Sequence, residues 1–463
     1  MIELQNVSFR YEGSETKALQ EASLRVAEGE CLVLTGDSGC GKTTVTRLIN
    51  GLIPGFYPGE LEGCVKIDGK EIAGKEPHEL SAFIGSVFQN PRTQFFTTDT
   101  DSELVFGMEN SALPYEEMHR RYKRTVLDLQ LQKLCGRDIF ALSGGEKQSI
   151  AFGSIYALSP EIYVLDEPSA NLDKPSVLRL RDILLHLKRS GKTLLISEHR
   201  LYYLQGVADR LSIMGEGRLR ESFLWEELEK MPRQTLREKG LRSLRDPDLR
   251  LLPSSCPPRI PTLEIRRLSL FRKKKPILEE LSLMAESGEI LGITGPNGIG
   301  KTTLARTICG LFRESRGEIF FNGERADASS RKRRSFLVMQ DPNYQLFSDS
   351  VENELALRIA GEVPSGEEVF SLLSSLRLDQ LLKRHPLSLS GGQKQRLCIA
   401  LAALSEAEII LFDEPTSGLD YRNMCRVAEM IRNLAKRQKA LILISHDSEF
   451  LNLTCTRIVS LSR

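Results

Sequence analysis

Six short apolar runs stand out along the chain. Cys31–Leu34, Ile162–Leu165 and Thr193–Ile196 fall in the first half, and Ile290–Ile293, Ile409–Phe412 and Ala440–Ile444 in the second. Each is bounded by glycine or charge and alternates with longer segments whose apolar residues recur at helical spacing. Such runs suit buried, largely parallel strands, so the pattern predicts an α/β fold with helices flanking mostly parallel sheets.

The halves also repeat in their motifs. GDSGCGKTT at Gly36–Thr44 returns as GPNGIGKTT at Gly295–Thr303, LSGGEKQ at Leu142–Gln148 as LSGGQKQ at Leu389–Gln395, and YVLDEPSANLD at Tyr163–Asp173 as LFDEPTSGLD at Leu411–Asp420. Ser143 precedes Asp166 by 23 residues, as Ser390 precedes Asp413; His199 follows Asp166 by 33 residues, as His446 follows Asp413. Equal offsets mark two homologous domains in tandem. They predict domains over residues 1–216 and 262–463. Between them, the charged LREKGLRSLRDPDLR and the Pro/Ser-rich LLPSSCPPRIP make residues 217–261 read as a short helix and a linker.

Charge and composition narrow the function. A net charge of +1 disfavours a nucleic-acid partner. Nine cysteines without a C-x-x-C pair indicate neither a zinc site nor a disulfide framework. No apolar run reaches the roughly 18–20 residues of a membrane span, so a membrane role is expected to run through a partner at the cytoplasmic face. The basic runs Arg272–Lys275 and Arg331–Arg334 read as solvated faces.

The glycine-rich segments fit G-x-x-x-x-G-K-[ST], placed between a strand-like run and a helical pattern. Glycines there let backbone N–H groups turn toward phosphate oxygens at a helix N-terminus. The first cradle comprises Gly36, Ser38, Gly39, Gly41, Lys42, Thr43 and Thr44; the second comprises Gly295, Asn297, Gly298, Gly300, Lys301, Thr302 and Thr303. Lys42 is expected to reach the β/γ-phosphates of ATP and Thr43 to ligate Mg²⁺, with Lys301 and Thr302 in the same places of the repeat. Asp166 and Asp413 each end an apolar run, where a carboxylate can hold Mg²⁺ or its water shell, and the adjacent Glu167 and Glu414 can orient or deprotonate an attacking water. The Ser-Gly-Gly turns with Ser143 and Gly145, and with Ser390 and Gly392, offer a hydroxyl and backbone donors to a further anion.

On these motifs the chain resembles a pair of fused ABC-type ATPase domains, over nearly its whole length outside the linker. The resemblance implies two P-loop domains, each with a helical signature subdomain, that pair within one chain and shelter two ATP molecules. One site would unite Gly36–Thr44, Gln89, Asp166, Glu167 and His199 with Ser390–Gln393; the other would unite Gly295–Thr303, Gln340, Asp413, Glu414 and His446 with Ser143–Glu146. It further implies that Gln89 and Gln340 touch Mg²⁺ and the attacking water and that His199 and His446 contact the γ-phosphate. Tyr11 takes the place of the ring that stacks on adenine. In the second domain that place falls on Arg272, with Phe271 beside it. Glu146, where the second signature has Gln393, is expected to weaken ATP binding at the site it joins by like charge.

After each Q-loop glutamine, QNPRTQFF and QDPNYQLF resemble the Pro-Asp-x-Gln pattern of ATPases in energy-coupling-factor (ECF) transporters, importers of vitamins and metal ions. Pro91, Gln94, Pro342 and Gln345 match, whereas Arg92 and Asn343 stand where the pattern has Asp. The implied partners are a transmembrane T component, gripped by these segments and their apolar Phe95, Phe96, Leu346 and Phe347, and a substrate-binding S component. The alternative is a soluble tandem ABC ATPase acting on ribosomes or nucleic acid, whose linkers are typically longer, helical and strongly charged.

Overall fold

The computed structural model describes residues 1–72, 74–89, 91–170, 172–249, 261–272, 275–313, 316–358, 366–376 and 378–461. It divides into two compact units, Met1–Asp246 and Pro247–Arg463.

In the first unit the strands are β1 Ile2–Tyr11, β2 Leu19–Val26, β3 Cys31–Gly36, β4 Gly59–Ile67, β5 Lys70–Glu71, β6 Ile84–Val87, β7 Ile162–Asp166, β8 Thr193–Ser197, β9 Arg210–Gly215 and β10 Arg218–Leu224. Six form a mostly parallel sheet in the order β10-β9-β3-β8-β7-β6, with only the β9–β10 hairpin antiparallel. Alternate residues of each central strand enter different cores. Leu32 and Leu34 of β3 join the core under the helix Lys42–Ile49, whereas Cys31 and Val33 join the core on the opposite face. A sheet covered on both faces requires apolar side chains at every position, which is why these strands are unbroken apolar runs in the sequence.

The second unit repeats the plan with β11 Leu263–Arg272, β12 Lys275–Ala285, β13 Ile290–Thr294, β14 Arg316–Phe321, β15 Glu324–Arg325, β16 Ser335–Val338, β17 Ile409–Asp413, β18 Ala440–Ile444 and β19 Arg457–Ser460. Its central sheet, β16-β17-β18-β13-β19, is parallel throughout. All six apolar runs of the sequence are strands of these two central sheets. Each unit carries in addition a four-stranded antiparallel sheet, β2-β1-β4-β5 and β12-β11-β14-β15. Its half-buried strands alternate apolar and polar residues and make no continuous run.

The charged segment expected as a short helix belongs to the first unit, which runs to Asp246. Glu216 and Gly217, both at positive φ, turn the chain into β10, and the helices Trp225–Lys230 and Arg233–Glu238 follow. Trp225, Leu228, Leu236, Leu241 and Leu244 pack into the first unit's core, and Lys174 pairs with Asp246. Most of the charged residues here are exposed, while Arg242 is buried with the leucines. Trp225→Ala should cost the first unit about 3 kcal/mol, checked by its denaturant midpoint, with the second unit's transition unmoved. The proposed Pro/Ser linker at 251–260 lies outside the described residues. The Arg331–Arg334 run is also not simply solvated: Arg331 is buried and donates to the Ala326 carbonyl at 3.0 Å, and Arg334 forms a two-pronged pair with Glu408 at 2.7 and 2.9 Å.

Candidate active sites

In each unit a central strand runs into a glycine-rich loop and then a helix, β3 into Lys42–Ile49 and β13 into Lys301–Ile308. Gly41 and Gly300 cap these helices at φ 105°, a left-handed conformation open to glycine. A Cβ on Gly41 would also stand 2.7 Å from the Ala18 carbonyl oxygen and 2.8 Å from Leu19 Cδ2. The lysines that follow are buried beneath their own loops. Lys42 Nζ donates to the carbonyls of Gly36 and Asp37 at 3.0 and 3.2 Å, and Lys301 Nζ to those of Gly295 and Pro296 at 2.8 and 2.9 Å. Each loop is thus an arch with a cation at its base and the N–H end of a helix at its side, suited to an anion of several charges.

The aspartates stand across from these arches. Asp166 ends β7 with the hydroxyls of Thr43 and Ser197 facing it, and burial raises its carboxyl above the ordinary range. Its Oδ1 and the Ser197 hydroxyl are buried with no hydrogen-bond partner among the described residues. Asp413 ends β17 beside the Thr302 hydroxyl, and burial raises it likewise. An orphaned carboxylate oxygen beside a hydroxyl fits a hard divalent cation. Among the described residues no three His, Cys, Asp or Glu converge as a self-sufficient metal cage. Such a cation would therefore take the rest of its ligands from water and phosphate.

Glu167 and Glu414 both adopt left-handed backbone, φ 47° and 49°, at the step where the chain leaves its strand. The same conformation recurs at other equivalent turns of the two units, at Asn6 and Arg267 and at Glu21 and Glu280, so here it marks the shared exit from the strand. Glu167 accepts from Gln89 Nε2 at 2.7 Å, and His199 Nε2 stands 3.6 Å away. Burial, assisted by the Asp166 and Glu198 carboxylates, pushes Glu167 up to about 8. In the second unit His446 Nε2 is also 3.6 Å from Glu414, and bonds Asn297 of the phosphate loop at 2.8 Å. Gln340 is exposed just beyond β16. The structure thus gathers the loop, strand-end and histidine residues of each unit around one cleft.

The signature serines do something more local. Ser143 and Ser390 cap the helices Gly144–Leu158 and Gly391–Leu404, each in a capping box, with Glu146 and with Gln393. Glu146 does not stand as an isolated negative charge. Arg137 donates to it at 2.9 Å and the Ser143 N–H at 2.8 Å, which offsets the repulsion expected from sequence.

Tyr11 is at the end of β1, its hydroxyl within 3.1 Å of both Thr44 Oγ1 and the Arg47 guanidinium, which also lies 3.9 Å over the Tyr57 ring. Arg47 and Tyr57 were missed from sequence. The signal was the aromatic stretch LIPGFYPGE after the first helix, which the repeat lacks. Phe271 is half-buried near the end of β11, and the side chain of Arg272 lies outside the described residues.

Comparison with known proteins agrees with this geometry. The ABC transporter family model matches residues 19–170 and again 278–417. The chain is a member of the ABC transporter ATPase family. A relative from Treponema denticola, provisionally named an ABC transporter ATP-binding protein, is 44% identical over 100% of this chain and 95% of its own. Another from Bacillus subtilis, provisionally named an HMP/thiamine import ATP-binding protein, is 30% identical over 98% of this chain and 88% of its own. A solved chain of an RNase-L inhibitor shares the fold, with a TM-score of 0.68 over 98% of this chain and 88% of its own, at 22% identity. This ABC ATPase therefore carries two nucleotide-binding domains and hydrolyses ATP.

Proposed function

We propose that the chain powers an ECF-type importer, docking on a membrane-embedded T component that works with a substrate-binding S component. The observation that carries this reading is a device built twice after the Q-loop glutamine. Gln94 is buried and holds the backbone of Phe88, Ser86 and Ala151, and Gln345 holds that of Met339 and Leu337. Glu103, 2% exposed, accepts the N–H groups of Phe96 and Thr97, and Glu354 those of Phe347 and Ser348. These pins turn Phe95 and Leu346 inward and leave Phe96 and Phe347 each 76% exposed. Holding a phenylalanine outward twice on a rigid mount, Phe96 stacked on Phe106 at 5.1 Å and Phe347 at the matching place, supports a docking surface. The apolar tips expected from sequence are thus split, one of each pair packing the domain and one available to a partner. Asn343 is held by Asp341 and by Lys394 at 2.9 Å, so it is a brace within the second unit.

Within each domain, Lys42 or Lys301 binds the terminal phosphates, and Gln89 with Glu167, or Gln340 with Glu414, orients the attacking water and takes its proton. His199 or His446 contacts the γ-phosphate. Thr43 with Asp166, and Thr302 with Asp413, would hold Mg²⁺, which when bound neutralises charge on the β- and γ-phosphates. Among the described residues no helix is long and apolar enough to cross a membrane.

Replacing Phe96 and Phe347 together with aspartate should abolish co-purification of the integral membrane component while leaving ATP affinity within about twofold. Unchanged recovery would rule these segments out as the docking surface. Recovery of ribosomes by the unmodified chain, in place of a membrane protein, would favour the soluble alternative.

A further inference from the structure

The two domains are built differently at the turn that carries the histidine. Asp166 pairs with Ser197 across β7–β8 as Asp413 pairs with Ile444 across β17–β18, and this register matches Glu198 with Ser445, Arg200 with Asp447, Tyr203 with Phe450 and Ser169 with Thr416.

In the first domain Glu198 is 2% exposed, yet both its oxygens are fully engaged. Oε1 accepts the N–H groups of His199 and Arg200 at 2.8 and 3.0 Å; Oε2 accepts the Tyr203 hydroxyl at 2.8 Å and the Ser169 N–H at 3.3 Å. The Arg200 guanidinium reaches the carbonyls of Ser169 and Leu172 at 3.4 and 3.3 Å. The histidine turn is therefore tied to the loop that follows Glu167. In the second domain Ser445 turns the other way. Its hydroxyl bonds Glu414 at 3.2 Å and accepts the Asp447 N–H at 3.1 Å, while Asp447 caps the helix Ser448–Thr454. With serine in place of Glu198, the counterpart of Tyr203 is a phenylalanine. The residues change as a set, as expected of a buried polar network in which a half-satisfied member is costly.

We propose that Glu198 is a positioning residue of the first domain, tying Ser169, beyond Glu167, to the turn that carries His199, so that the two domains hydrolyse ATP at unequal rates. This rests on the roles proposed above for Glu167 and His199. Misplacing such groups by a fraction of an ångström slows the chemical step more than binding.

The yardstick is the share of ATP turnover that Glu167→Gln abolishes in the full chain. Glu198→Ser with Tyr203→Phe, which installs the second domain's own residues, should remove about nine-tenths of that share with KM changed less than about twofold. Arg200→Ala, which leaves no buried carboxylate stranded, should lower the same share about threefold at an unchanged melting temperature and serves if the double variant does not fold. Wild-type turnover in either variant would overturn the proposal, as would kcat, KM and melting temperature all falling together, since that describes a merely structural role. If Glu167→Gln itself abolishes nothing, the reading of Glu167 has failed and the proposal falls with it. If Glu167→Gln is effective and the Glu198 variant is not, only the proposal has failed.

Discussion

Glu167→Gln should cut ATP turnover attributable to the first domain by at least about 100-fold while sparing ATP binding, and Glu414→Gln should do the same in the second. The amide is isosteric, so the left-handed backbone at φ 47° and 49° is undisturbed, and its carbonyl oxygen can still accept the 2.7 Å bond from Gln89. What is lost is the capacity to take a proton from water. Binding should survive because the triphosphate is met by the arch over Lys42 or Lys301, on the other side of the cleft. Steady-state turnover beside nucleotide affinity separates these effects. A substitution that leaves turnover untouched would make that domain a regulatory nucleotide site. A variant that also loses affinity would mean that the glutamate shapes the pocket and does not serve the water.

Gly41→Ala should be nearly as damaging, for a conformational reason. At φ 105° an alanine is strained wherever it points, and here its Cβ would meet the Ala18 carbonyl oxygen at 2.7 Å. That neighbour is backbone at the entry to β2, held by its own N–H bond to the Phe9 carbonyl at 2.7 Å, and cannot swing aside. We expect a loss of about 1–3 kcal/mol in stability and a fall of more than about tenfold in ATP affinity at this domain, because relief of strain moves the very N–H groups that cradle phosphate. Gly39 is the control. It also lies at positive φ, 83°, but a Cβ there has nothing within 4 Å, so Gly39→Ala should cost less on both measures. Thermal melts and fluorescent-nucleotide titration decide it. Equal effects at the two positions would mean that φ alone, and not the contact with Ala18, controls the loop.

By itself, the amino-acid sequence determined what depends on neighbours along the chain. The arches over Lys42 and Lys301, the helices capped by Ser143 and Ser390, and the six strands buried on both faces are local in this sense, since a glycine's freedom, a cap and a continuous apolar run act within a few residues. The repeat then placed Asp166, Glu167 and His199 on common footing with Asp413, Glu414 and His446. Tertiary structure alone decided the contacts across long stretches of chain. Residues 217–246 look like a charged connector because a few widely spaced side chains, Trp225, Leu228, Leu236, Leu241 and Leu244, are enough to anchor them in the first core. Phe95 and Phe96 are the same residue type side by side, and a buried glutamate at position 103 settles which one faces water. Glu198 reads as a stray charge after a strand until the fold brings Ser169 and Tyr203 to its two oxygens. A charged or aromatic side chain takes its role from whatever lies opposite it, and what lies opposite is set by packing.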